Sequence, residues 1–263
     1  MTPGALLAIA ELELRRMAGG KRAILLGVLL LGAAALAGVV RAFAPPPPGE
    51  AGWSYVFLAE ALLYLQTLVI LVPLLHATSL LKDDEEEGTL VYLITRPVPR
   101  PALLLAKFGA MAAFAGLALC VGMLAFMAAF AWCGPTPFPA FARGWRFLLA
   151  AELGVVAYGG LFTLVGIVSR RGMIWGIVYG FLSEFLLATV VPALAKRLTL
   201  MHYLRSVALS DQELPAQLPP NVLDLSSPWT AGLVLLAVGG GCLLLSMAAI
   251  SFLELEGPRE ETG

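Results

Sequence analysis

The chain has 263 residues, 59% of them apolar and only 13% charged, with a mean hydropathy of +0.86. A soluble domain carries about 45–50% apolar and about 25% charged residues, and disordered chains are poor in apolar residues, so both classes are excluded. The 17 Lys and Arg are balanced by 18 Asp and Glu, which leaves no basic footprint for nucleic acid. The composition is that of a polytopic membrane protein, and the spans read below predict an all-α integral membrane fold with one transmembrane domain over residues 1–263.

Residues 1–22 hold the apolar stretch ALLAIAELELRRM at 5–17, which carries Glu11, Glu13, Arg15 and Arg16. As a helix it would lie in the membrane interface, with the arginines near anionic headgroups. Six segments then reach the roughly 20 apolar residues that cross a bilayer: 23–43, 56–81, 108–132, 147–169, 173–194 and 229–253. Ala42-Phe43-Ala44 has the form of a signal-peptide cleavage site. The 18 residues between Arg22 and Arg41 are long for a signal core, however, so the first span is expected to be retained. Pro45-Pro46-Pro47-Pro48-Gly49 ends the first span and Gly134-Pro135-Thr136-Pro137-Phe138-Pro139 ends the third, because proline cannot continue a helix.

Between the second and third spans, Lys82-Asp83-Asp84-Glu85-Glu86-Glu87-Gly88-Thr89-Leu90 opens a polar segment that runs to Arg100 and Lys107. Acids at a helix start complement its free N–H groups. Leu90, Leu93 and Ile94 share one helical face, and Pro97 and Pro99 stop the helix. The segment 82–101 is therefore expected to be a short helix with an acidic start and one apolar side.

In the fifth span Gly172, Gly176 and Gly180 recur every four residues, a pattern that lets two helix backbones approach. They read as a packing seam within one bundle or as a contact between two copies. Ala34 and Gly38 in the first span form a matching small pair. Glu184 lies about 16 Å into the fifth span at 1.5 Å per residue, near the bilayer midplane, where an ionisable group is costly. It is either a pathway or inter-protomer residue, or a protonated structural acid. Arg41, Glu60 and Glu152 sit at similar depth near the opposite ends of their spans and read as a charge cluster, a structural clamp before a gate. Gln66 would extend the polar track. Residues 195–228 form the longest loop, in which Leu198, Met201, Leu204 and Ala208 mark one helical face beside His202, Tyr203 and Arg205.

Placing the N-terminus in the cytoplasm puts eleven Lys and Arg on the inner side and six at or beyond the outer side, which favours both termini inside. Trp53, Trp132, Trp145 and Trp229 then fall at outer span ends and Trp175 at an inner one, where indole rings prefer the headgroup layer.

The run Glu85-Glu86-Glu87-Gly88-Thr89-Leu90, followed by Arg96-Pro97-Val98-Pro99-Arg100 and Lys107, resembles the permease subunits of type-2 ABC transporters. The six-span layout resembles their single-domain bacterial branch, which includes NosY-like permeases; Pro99 departs from the serine often found there. The resemblance implies a permease of the bacterial inner membrane, mostly associated with export. It also implies that segment 82–101 carries a coupling helix seated on a separate ATP-binding subunit, with Glu85, Glu86, Glu87, Gly88, Thr89, Leu90 and Leu93 at that contact. A second permease copy or a paralogue would pair around the first and fifth spans, using Ala34, Gly38, Gly172, Gly176 and Gly180. Short helices that re-enter the membrane between the last two spans are implied as well. Membrane lipids are the remaining expected partners, and the substrate is open.

No GxxxxGK[ST] phosphate loop occurs in the chain, so ATP and Mg are expected in the partner subunit and no cofactor on this one. Two histidines, His76 and His202, and three scattered cysteines, Cys120, Cys133 and Cys242, supply no metal-site or disulfide pattern. An intramembrane protease would need HExxH, a GxSxG-type serine or paired membrane Glu and His; none is present, so no catalytic residue is expected. A non-transporting scaffold or assembly factor is the other alternative.

Overall fold

The computed structural model describes residues 3–43, 50–80, 99–133, 138–169, 171–180, 197–210 and 225–252. Among them are eight helices and no strand: α1 (Pro3–Gly19), α2 (Lys21–Phe43), α3 (Glu50–Ala77), α4 (Arg100–Trp132), α5 (Ala140–Val168), α6 (Gly172–Tyr179), α7 (Leu200–Leu209) and α8 (Pro228–Phe252). Five of these, α2, α3, α4, α5 and α8, are long and apolar enough to cross a membrane. They coincide with five of the six expected spans. The remaining one, 173–194, begins as α6, and its later part lies outside the described residues.

Helix α5 is the axis of the bundle. More than half of its apolar span, 56%, is buried, against 28% for α2 and 22% for α8. Helices α3, α4, α7 and α8 all pack on it, while α2 lies along α4. The sequence allows this through small residues. A Cβ on Gly160 would press on the backbone of Gly239 in α8, reaching its carbonyl carbon at 3.0 Å, so the two helices cross backbone to backbone. The faces of α2 and α8 turned away from α5 carry exposed apolar residues such as Leu31, Leu36, Leu233 and Leu244, as a lipid-facing surface requires.

Helix α4 starts eight residues before the expected span at 108. Pro99 is extended and Pro101 stands in the first turn, where the missing N–H is not needed. At 33 residues the helix spans about 50 Å, well beyond a hydrocarbon core of about 30 Å. Its first two turns carry Arg100 and Lys107.

The bundle has two distinct ends. The proximal end holds the two roots of segment 81–98, Leu80 and Pro99, together with α1. The distal end gathers the C-termini of α2 and α4 with the N-termini of α3 and α5. There Phe57 lies 5.2 Å from Phe130, 5.5 Å from Phe138 and 5.9 Å from Phe126, ring centre to ring centre. Buried Phe147 closes the group at 6.3 Å from Phe57.

Candidate functional site at the roots of segment 81–98

The acidic segment itself, with Glu85, Glu86, Glu87, Gly88, Thr89, Leu90 and Leu93, lies outside the described residues, and so does Glu184. What the structure describes is the frame around the segment. Helix α1 forms from a run of good helix formers, and Arg15 pairs with Glu11 one turn earlier at 2.6 Å on its exposed side. On the opposite side Glu13 is buried and lies 2.9 Å from Lys107 Nζ; the two side chains are 9% and 2% exposed. The Lys107 ammonium also donates to the Leu80 carbonyl at 3.4 Å. One cation thus joins α1, the end of α3 and the start of α4.

Two further ties surround the same roots. Arg22, in the first turn of α2, donates to Ser79 Oγ at 2.6 Å. Gly166, near the end of α5, lies against the backbone of Thr78: a Cβ there would stand 2.6 Å from the Thr78 carbonyl oxygen. Gly172 at the start of α6 is folded back on Gly166. The segment therefore leaves and re-enters the bundle where five helices meet, α1, α2, α3, α4 and α5, with α6 starting beside them.

The glycine stripe faces inward. Gly176 lies against Leu74 of α3, where a Cβ would also approach Phe162 of α5 at 3.4 Å and Thr78 at 3.5 Å, and Gly180 lies against Ile70. Ile70, Leu74 and Thr78 repeat every four residues, so α3 and α6 mesh as two matched stripes within one chain. The other side of α6 exposes Met173, Ile174, Trp175 and Ile177. In α2, Gly38 and Ala34 are buried as well. A Cβ on Gly38 would meet Cys133 at 3.3 Å and Ala129 at 3.5 Å, both at the end of α4.

At the distal end the guanidinium of Arg41, 1% exposed, stacks 3.9 Å above the Trp53 ring, with Phe130 and Phe138 beyond it. Trp53 is buried beneath it, so its ring packs on a cation within the bundle, whereas Trp132 and Trp229 are exposed. Glu152 turns toward α4, where its carboxyl lies against Gly116. Glu60 is half-buried on α3. One carboxyl oxygen of each acid has no hydrogen-bond partner among the described residues.

The long loop contains α7, capped by Thr199, whose side chain accepts from the His202 amide. It does not rest on the bundle surface. Leu204 reaches Gly154, about 21 Å along α5 from its start, and Arg205 donates to Gln66 of α3 at 2.9 Å. Arg143 donates to Ser54 and Arg146 to Ser210, while His202 shares a hydrogen bond with Ser226 at 2.9 Å. These pairings, and that of Glu13 with Lys107, escape a reading of the sequence, because the partners stand 24 to 139 residues apart. The one available signal is Glu13, an acid between Leu12 and Leu14 in α1.

The family model described as ABC-2 family transporter protein matches residues 20–186, a stretch that includes the acidic segment and all its roots except α1. The chain belongs to that family. This ABC-2 protein is a multi-pass membrane protein and a transport component, and its family implies an ATP-binding ABC partner. No curated protein matches the chain.

Proposed function

We propose that this chain is the membrane-spanning permease subunit of an ATP-driven ABC exporter, and that segment 82–101 is the place where force enters. The observation that carries this reading is the family match across the acidic segment, together with the convergence of five helices on that segment's roots. The chain has no phosphate loop of its own, so ATP and Mg bind a separate subunit. Glu87, Gly88, Thr89 and Leu90, with Glu85, Glu86 and Leu93, lie at the contact with that subunit.

In this reading there are six spans, the fifth continuing from α6 through 194, and α1 rides in the inner interface among anionic lipids. The proximal end faces the cytoplasm of a bacterium, with both termini on that side, and the chain sits in the inner membrane. A second copy or a paralogous permease pairs with it along α2 and the fifth span. The exposed Met173, Ile174 and Ile177 face of α6 supports that pairing surface, since the glycine side is taken up by α3. Closure of the ATP-binding subunit pushes the acidic segment, and α3 and α4 tilt as levers. Glu184, Glu60, Glu152 and Arg41 are the polar groups available along the path.

Purification from the native membrane tests the reading. An ATP-binding protein is expected to co-purify, with an ATPase rate that depends on this chain. Leu90→Asp and Glu87→Lys are expected to abolish that dependence. Unchanged ATPase stimulation and assembly in both variants would refute the contact, and an accessible cysteine at position 87 labelled only from outside the cell would refute the orientation.

A further inference from the structure

We infer that Glu13 and Lys107 are positioning residues for energy coupling: their buried ion pair fastens α1 to the roots of segment 81–98, so that α1, Leu80 and the start of α4 move as one body. This rests on the proposed function above and adds to it a second route for force. Lys107 Nζ holds the Glu13 carboxylate at 2.9 Å and the Leu80 carbonyl at 3.4 Å. Leu80 directly precedes the segment, and Lys107 follows it by two turns of α4 beyond Pro99.

A buried cation that bridges three elements resists their separation. Stripping either partner leaves a charge in a poorly polarisable site. Helix α1 passes any displacement on at once, because only Gly20 separates it from α2, and the Ala23 amide already donates to the Gly20 carbonyl at 3.0 Å. A push on the acidic segment therefore reaches α2 by way of Lys107, Glu13 and the Gly20 joint. It also reaches α3 and α4 directly.

The test uses the permease reconstituted in liposomes with its co-purified ATP-binding subunit. The variants are Glu13→Gln, Lys107→Gln and the exchange E13K/K107E, with Leu90→Asp as the reference for segment contact. Each single variant is expected to lower permease-dependent ATPase stimulation about tenfold, which is about 1.4 kcal/mol at the rate-limiting step, while the ratio of the two subunits stays at its wild-type value. The exchange is expected to restore about half of the stimulation, because the pair re-forms while the Leu80 hydrogen bond is lost.

Spin labels at exposed Leu12 and Leu105 add a readout that a merely structural role would leave alone. Their separation should stay constant across the ATP cycle in the wild type and change with nucleotide in Glu13→Gln. Wild-type stimulation in both single variants would overturn the inference, as would loss of the ATP-binding subunit in every variant, the exchange included. Should Leu90→Asp uncouple while Glu13→Gln does not, only the second route falls. Should Leu90→Asp itself leave stimulation intact, the parent reading falls first.

Discussion

The two ends of the bundle are held by different chemistry. At the distal end the fastening is a cation set on aromatic rings, with no acid paired to it in that contact: Arg41 lies on Trp53, and Phe57, Phe130, Phe138 and Phe147 fill the space behind. Arg143 and Arg146 are held there by Ser54 and Ser210, and nearer the middle of the bundle Arg205 is held by Gln66. At the proximal end the fastening is a full charge pair, with a carbonyl as its third member. Dispersion contacts are many and individually weak, so a packed aromatic group can lose one member and adjust. A buried ion pair has two members, and removal of one strands the other. The distal end is thus built to tolerate local rearrangement, and the proximal end to transmit displacement as a rigid piece.

The sharpest break of that contrast is Lys107→Met. It leaves the Glu13 carboxylate buried without its cation, and such losses cost about 3–5 kcal/mol. We expect a larger fall in thermal midpoint than from the loss of any single distal contact, measured by intrinsic tryptophan fluorescence in detergent. A midpoint within a degree of wild type would show that water reaches the pair and that the proximal end is not rigid.

Gln66→Leu asks whether the neutral pairings between the distal end and the middle of the bundle are as forgiving as their chemistry implies. It removes the acceptor of a hydrogen bond from a cation deep in the bundle, a loss of about 1.5–3 kcal/mol. The expected outcome is a moderate drop in midpoint and faster protease cleavage near α7, because Arg205 no longer anchors that helix to α3. A drop as large as that of Lys107→Met would erase the distinction between the ends.

Much of the architecture was legible in the sequence because long apolar runs have few alternatives to a membrane helix. The helix ends were harder to place. The 108 start expected for the third span follows from the last charge before the long apolar run, Lys107, yet helical hydrogen bonds make no demand on side-chain polarity, and α4 runs back through Ala102–Ala106 to Arg100. The glycine repeat was readable as a close-packing stripe, but a periodic pattern names no partner, and only the fold brings Ile70, Leu74 and Thr78 against it. Trp53 was expected at a headgroup layer on the strength of its residue type. Its place beneath Arg41 depends on the end of α2 and the start of α3 meeting in space. The candidate contact residues at 85–93 rest on motif alone, whereas their neighbours Glu13, Arg22, Ser79 and Lys107 emerge only from the three-dimensional convergence.

Trp53→Leu narrows the comparison to the aromatic fastening. Leucine keeps apolar bulk in the same place but offers no π face, and a desolvated cation–π contact is worth about 2 kcal/mol. Because Phe130 and Phe138 also lie within 5.9 Å of the Arg41 guanidinium, the neighbouring rings take over part of the contact. The expected loss is about 1 kcal/mol, read as a midpoint shift smaller than that of Gln66→Leu. A collapse of the fold on this substitution would mean that the distal aromatic group has no slack.

The smallest effect is expected from Ser79→Ala, and it separates burial from location. Ser79 stands one residue before Leu80, within the same proximal convergence as Lys107, and accepts from Arg22 at 2.6 Å. That bond is exposed, so water replaces the serine hydroxyl, and the loss is about 0.5–1 kcal/mol. If proximity to the segment roots alone made a contact important, Ser79→Ala would rival Lys107→Met in the melting experiment. If removal from water is what counts, the midpoint hardly moves and only the buried pair behaves as a fastening. A large Ser79→Ala effect would therefore shift the seat of rigidity from the Glu13–Lys107 pair to the joint between α2 and α3.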